Sequence, residues 1–260
     1  MPFAPLYLPE ITLLITHYNR SQSLERLLQA FEDLGMQFGG IVVSDDGSQP
    51  AHQQALRGLQ EELGFQLVGT PQNRGLGHNL NKGQDAVRTP YTLYVQEDFE
   101  PKPAFRDTLS VALGYLQADA GLDIARFYAY FSYPYTKPYG QGFAEMVFKP
   151  QLWANNHLKF YVYSDHPHLR RTSFPVKFGR YQEGVKGDTT EANMAKAFIR
   201  RGGRGIFFED FNGLFYQKNS STEPSTMHRA SWRASTTPLA LSLRFVYLQA
   251  KLLRWTYDVR

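Results

Sequence analysis

The chain is 260 residues long, 42% hydrophobic and 20% charged, which suits one or two globular domains with a sizeable core and excludes a disordered segment. Lys and Arg number 28 against 24 Asp and Glu; the resulting +4 is too mild to mark a nucleic-acid binder, whose charge gathers on one face. With no cysteine, disulfide frameworks, thiolate nucleophiles, zinc ribbons and iron–sulfur clusters are excluded.

Short apolar runs and helical patterns alternate over the first hundred residues. Ile11 to Ile15 reads as a strand buried on both faces. Leu24, Leu27, Leu28, Phe31 and Leu34 then recur at helical spacing, after breaks and cap candidates at Asn19, Ser21 and Ser23. Ile41 to Val43 is a second strand, closed by the turn formers Asp45-Asp46-Gly47-Ser48. Leu56, Leu59 and Leu63 mark a helix, Phe65 to Val68 a strand, His78 to Val87 a short helix and Tyr91 to Val95 a fourth strand. Such alternation implies an α/β fold with a mainly parallel sheet and helices on both faces. Ligands of such sheets collect at the carboxyl ends of the strands. Thr16-His17-Tyr18-Asn19, Asp45-Asp46 and Gln96-Glu97-Asp98 all stand there, three polar clusters along one edge.

Further on, Pro103 to Gln117 reads as a helix and Ile124 to Tyr128 as a strand, followed by a segment to Phe143 crowded with Tyr, Phe, Pro and Gly. Phe143 to Tyr163 mixes strand-like and helical pieces. Thr190 to Arg201 is a helix, Gly205 to Phe208 a short strand, and a basic amphipathic helix starts near Pro238. There is no internal repeat.

Four segments carry a resemblance. Leu14-Ile15-Thr16-His17-Tyr18-Asn19-Arg20 and Val42-Val43-Ser44-Asp45-Asp46-Gly47-Ser48 resemble the opening of a family 2 glycosyltransferase. Asn73-Arg74-Gly75 through Gly83 is similar to that family's segment before the metal-site strand, and Tyr94-Val95-Gln96-Glu97-Asp98 occupies the place of its Asp-x-Asp motif. The resemblance implies the GT-A fold, a nucleoside diphosphate-sugar donor, most simply a UDP-sugar, and a divalent metal, Mg²⁺ or Mn²⁺. By position, Thr16 and Tyr18 line the base, Asp46 accepts a base N–H, Arg74 flanks the base, and Asn19 and Glu97 belong to the same nucleotide set. Gln96 stands where a ribose-side Asp is expected, and Asp98 where the metal-binding Asp is expected. Gln96 departs from the pattern: it can hydrogen-bond a hydroxyl but accepts less strongly than a carboxylate.

An inverting transferase also needs a base for the acceptor hydroxyl. The family pattern puts a carboxylate before a helix in the second half, where Gly187-Asp188-Thr189-Thr190-Glu191 lies; Asp188 and Glu191 are the candidates. The same residues spell a capping box, so a purely structural helix start stays open. Among the histidines, His166, His168 and His228 are candidates for a phosphate or metal contact, His228-Arg229 lying in the Ser/Thr-rich stretch 219–237. His17 falls in the nucleotide motif and contacts phosphate or nothing. Tyr128, Tyr130, Tyr133, Tyr135 and Tyr139, with Trp153 nearby, offer a stacking platform for an acceptor sugar or else simply a packed strand.

The expected organisation is a GT-A-like domain over 1–215 (nucleotide-binding half 1–100, acceptor half 101–215) and a flexible segment with a C-terminal helix over 216–260. Leu239 to Trp255, carrying Arg244, Lys251 and Arg254, packs on the domain, forms a homodimer or lies on anionic lipid. No run approaches the ~20 apolar residues of a bilayer span, and the N-terminus lacks a secretory pattern, so a cytoplasmic or peripheral inner-face location is expected. The expected activity is inverting transfer of a sugar to a saccharide or lipid-linked acceptor, with a nucleotidyltransferase or a non-catalytic nucleotide- or glycan-binding relative as rivals, and no nucleic-acid partner.

Overall fold

The computed structural model describes residues 3–151, 153–218, 223 and 237–260. The apolar run at Ile11 lies inside a longer strand, β1 (Leu6–His17), which pairs in parallel with β2 (Met36–Asp45) on one side and β4 (Tyr91–Gln96) on the other. β3 (Gln66–Val68) extends this parallel half beyond β2. Alternation along β1 divides the core. Leu13 and Ile15 join the side covered by α1 (Ser21–Asp33), α2 (Pro50–Leu63) and α4 (Pro103–Ala118), through Leu27, Leu56 and Leu109. Leu14 joins the opposite side with Leu80 of α3 (Leu76–Ala86), Phe174 of α5 (Phe174–Phe178) and Phe198 of α6 (Gly187–Arg200). Covering both faces explains why Ile11 to Ile15 carries almost no polar residue.

The rest of the sheet is mixed. β9 (His168–Arg171) inserts antiparallel between β4 and β6 (Ile124–Arg126). β10 (Gly205–Phe208) runs parallel to β6, and β8 (Phe143–Met146) and β7 (Thr136–Gly140) close the edge antiparallel. The order is β3-β2-β1-β4-β9-β6-β10-β8-β7, with a separate ribbon of β5 (Phe99–Pro101) and β11 (Phe215–Gln217). The mostly parallel sheet flanked by helices agrees with the fold expected from the sequence.

Three local expectations change. The strand at Ile124 stops at Arg126 rather than Tyr128. α6 starts at Gly187, three residues before the expected Thr190. The N-terminus of α1 is not capped by its neighbouring Asn or Ser side chains; Glu223 instead accepts the amides of Gln22 and Ser23, both at 2.9 Å, and the Ser23 hydroxyl at 2.6 Å. The C-terminal helix, α7 (Pro238–Asp258), is anchored by Leu252 and Trp255 against Phe160, within the 3-10 turn His157–Phe160. Its Leu243, Phe245, Val246 and Tyr257 stay exposed. Among the described residues no helix is long and apolar enough to cross a membrane.

Candidate active site

A cavity of about 1040 Å³ opens at the carboxyl ends of β1, β2 and β4 and brings together Thr16, Tyr18, Asp46, Gln96, Glu97, Asp98, Asp188 and Glu191. Of the residues expected to bind the nucleotide, Asn19 and Arg74 are outside its lining.

The end of the cavity expected to take the nucleotide is built by turns pinned to one another. Thr16 Oγ1 lies 2.9 Å from the Tyr94 hydroxyl in the buried sheet, and Tyr18 follows half-buried on the wall. His17, 1% exposed, is among the residues lining the cavity, with both ring nitrogens engaged by the protein: its Nδ1 is 2.8 Å from Asp45 Oδ1 and its Nε2 accepts the Arg20 amide at 3.2 Å. Burial raises the Asp45 carboxyl, but its bonds to His17 and Ser48 outweigh this and hold it below the usual range. Asn19 adopts φ 55°, a left-handed conformation that Asn tolerates, and its Oδ1 accepts the Gln49 amide at 2.7 Å. It shapes the turn rather than the cavity. Asp46 accepts the Arg74 amide at 3.0 Å and the Gly75 amide at 2.8 Å, so the 73–75 segment closes over it. Burial nevertheless pushes the Asp46 carboxyl up. Between them Gly47, at φ +71°, passes so close to the chain that a Cβ would lie 2.4 Å from the Gln72 carbonyl carbon. Arg74 contributes its backbone here; its guanidinium reaches Glu183 at 3.7 Å.

At the far end of β4, Glu97 and Asp98 form a turn into β5, and the next helix starts only at Pro103, so the pair is not a helix start. Asp98 Oδ2 accepts from Gln217 Nε2 at 3.1 Å and lies 3.5 Å from Arg20 Nη1, which is 3.8 Å from Glu97. Burial, then the charge of Asp98, push Glu97 up to about 8 against the pull of Arg20. No group of three or more metal-ligating side chains occurs among the described residues. Asp98 and Glu97 still fit Mg²⁺ or Mn²⁺: hard oxygen donors in a cavity, for ions that take one or two carboxylates and complete their shell with substrate phosphate and water.

The base candidates come to the cavity from α6. Lys186 is the residue preceding α6 and no side chain caps it, so the expected Asp188–Glu191 capping box is not formed. Asp188 is exposed in the first turn, and Glu191 is half-buried one turn on. Facing Glu191 is a residue the sequence reading passed over. Asp165, in the loop before β9, accepts from Gln96 Nε2 at 3.2 Å and donates its backbone amide to Glu191 Oε1 at 3.4 Å, which sets the two carboxyls beside each other. Burial first, then the Glu191 charge, push Asp165 well above the carboxylate range. Its signal was the polar run Ser164-Asp165-His166 in front of a strand edge. Arg126, on β6, feels both acids; burial lowers it to about 10, still a full cation at neutral pH, and its Nε has no partner among the described residues.

Of the histidine candidates, His166 lines the cavity and is lowered to about 3 by burial, hence neutral. His168 is sandwiched behind it by Tyr94 and Tyr163, off the cavity. His228 and Arg229 lie outside the described residues. The tyrosines do not form one strand. Tyr130, with Phe131, is exposed at the cavity rim and Tyr133 lies deeper, its hydroxyl donating to the Lys159 carbonyl at 2.7 Å. Tyr139 packs on Tyr115 in β7, and Trp153 is 85% exposed away from the cavity.

Comparisons with known proteins agree with this geometry. The family model described as Glycosyl transferase family 2 matches residues 12–175. No curated protein matches the sequence. Among solved structures, S. aureus TarS 1–349 in complex with UDP-GlcNAc superposes with a TM-score of 0.61 at 17% identity, covering 86% of this chain and 63% of that one. A second crystal structure of S. aureus TarS 1–349 gives 0.59 at 16% identity, covering 80% and 60%. The mannosyltransferase PcManGT from Pyrobaculum calidifontis, in complex with GDP-Man and Mn²⁺, gives 0.54 at 19% identity, covering 81% and 59%. The chain therefore spans roughly three-fifths of these proteins and shares their GT-A fold.

Proposed function

The chain belongs to glycosyl transferase family 2, and from that membership we propose that its cavity binds a nucleoside diphosphate-sugar, with UDP as the first candidate, and transfers the sugar with inversion. The observation that carries this reading is one cavity lined by three chemically different sets: Thr16, Tyr18 and Asp46 after β1 and β2, Glu97-Asp98 after β4, and Asp188 and Glu191 from α6. Tyr18 offers a flat face to the base and Asp46 fixes the loop that closes beside it. Glu97 and Asp98 would hold a divalent ion, which supplies charge neutralisation at the leaving diphosphate. An acceptor hydroxyl then attacks the anomeric carbon as the bond to the diphosphate oxygen breaks. The hydroxyl proton passes to Glu191 or Asp188, and the nucleoside diphosphate leaves with the bonding electrons.

Tyr130 and Phe131 at the rim suit the apolar C–H face of an acceptor saccharide. The basic, partly exposed α7 suits a lipid-linked acceptor at an anionic membrane surface. A nucleotidyltransferase is disfavoured by the family membership. Calorimetric titration of UDP and GDP, with and without Mn²⁺, on wild type and Asp98→Ala tests the donor reading. Metal-dependent binding of one nucleotide, weakened in the variant, supports it; no binding of either under any condition overturns it.

A further inference from the structure

We propose that Asp165 is a positioning residue for proton transfer, holding Glu191 in place while Gln96 in turn holds Asp165. This rests on the reading above, in which Glu191 faces the acceptor. The three side chains come from three separate elements. Gln96 ends β4, Asp165 sits in the loop before β9, and Glu191 lies on α6. Gln96 Nε2 donates to Asp165 Oδ2 at 3.2 Å, and the Asp165 amide donates to Glu191 Oε1 at 3.4 Å, which sets the two carboxyls beside each other.

Two carboxyl groups set beside each other in a buried site cannot both be ionised cheaply, so one of them carries a proton that it can donate to the other. Burial, together with the charges of Glu191 and Asp188, places that proton on Asp165. The remaining titratable groups near the pair are the Arg126 guanidinium from β6, the Tyr94 phenol from β4 and the Tyr163 phenol. Asp165 then donates to Glu191 with one oxygen and accepts from Gln96 with the other. Glu191 is left as an oriented carboxylate, free to receive the acceptor proton.

This arrangement also accounts for Gln96. A carboxylate at 96 would present an acceptor where the second oxygen of Asp165 needs a donor. The amide is therefore the matching partner of Asp165, and its presence need not signal a lost activity.

The test uses the full chain with UDP-GlcNAc and GDP-mannose as probes, water serving as the acceptor, and a carboxyl ¹³C NMR titration without any ligand. Asp165→Ala is expected to lower kcat for donor hydrolysis about tenfold or more with KM little changed, the size expected when a reacting group loses its orientation. Asp165→Asn keeps a donor toward Glu191 and an acceptor toward Gln96, so it restores most of kcat. Gln96→Glu reproduces the loss. In the spectra, one carboxyl of the wild-type pair keeps its proton at pH 7. The proposal is overturned if Asp165→Asn is no better than Asp165→Ala, if the loss is in KM alone, or if both carboxyls are ionised at pH 7 in wild type. If neither sugar nucleotide binds or is hydrolysed, the donor reading fails on its own and the spectra decide the pair.

Discussion

Arg20 Nη1 stands 3.5 Å from Asp98 Oδ2, with only 6% of the arginine side chain and 7% of the aspartate side chain exposed. A cation is thus already placed beside the carboxylate expected to hold a metal, and it also approaches Glu97 at 3.8 Å. Removing it leaves two buried acids side by side. Breaking a buried ion pair from one side costs about 3–5 kcal/mol, so Arg20→Met is expected to lower the melting temperature markedly. A divalent cation added to the variant replaces the missing charge. Mn²⁺ should therefore raise the melting temperature of Arg20→Met by more than that of wild type, in thermal denaturation with and without the ion. Equal gains would place the ion elsewhere.

Glu97 gives a prediction with a defined sign. In the folded chain its carboxyl is pushed up to about 8, whereas an ordinary Glu titrates near 4.5. Between those values the folded state holds a proton that the unfolded state has released. Its contribution is therefore complete below pH 4.5, declines as pH rises, and is lost above about 8. Glu97→Gln mimics the protonated form at every pH. The melting temperature of wild type should accordingly fall more steeply from pH 5 to pH 8.5 than that of the variant, all other titrating groups being shared. Parallel curves would show that Glu97 is ionised throughout.

The parts of this architecture that follow from local patterning were legible in the sequence. β1, β2 and β4 are covered on both faces, so their apolar runs stand out, and the polar residues that end them necessarily gather at one edge. What escaped depends on contacts between distant segments. β9 reads as His168-Leu169-Arg170-Arg171, a poor strand by composition; it is buried because Arg170 finds the Tyr181 hydroxyl and, at 2.6 Å, the Gln84 side chain. Its place beside β4 is what brings Asp165 to Gln96, and nothing within ten residues of Asp165 announces that neighbour. Glu223 caps α1 from 200 residues away. The Asp188–Glu191 spacing had a valid local reading as a capping box, but α6 begins earlier and spends neither side chain on its own N-terminus.

Gly77 couples α3 to the segment that leads to the proposed bases on α6. It lies in the first turn of α3, where a Cβ would stand 2.1 Å from the Gln182 carbonyl oxygen. That carbonyl also accepts from Thr190 Oγ1 at 3.0 Å, tying the approach to α6. Backbone cannot yield as a flexible side chain does, so Gly77→Ala must push the 182–187 segment outward. We expect a loss of about 1–3 kcal/mol in urea unfolding, the usual cost of overpacking. Turnover should fall further than nucleotide affinity, because the displaced segment leads to Asp188 and Glu191 while Asp46 and Tyr18 stay in place. A variant with unchanged kcat and weakened nucleotide binding would contradict that division of labour.

α7 is fastened to the domain chiefly at its C-terminal end, where Leu252 is 4% exposed and joins Phe160 and Val259 in a small cluster of its own. Truncating a buried leucine removes its transfer energy and leaves a cavity, so Leu252→Ala is expected to cost about 2–5 kcal/mol if α7 and the domain unfold together. The cluster rests on the turn His157–Phe160, whose His157 and Leu158 reach the cavity lining. Loosening α7 should therefore disturb the acceptor side of the cavity while leaving the pocket of Thr16, Tyr18 and Asp46 intact. The expected outcome is a higher KM for the acceptor with nucleotide affinity unchanged, measured by titration calorimetry beside steady-state kinetics. A separate low-temperature unfolding step confined to α7, with no kinetic effect, would instead show the helix to be an independent appendage of the catalytic domain.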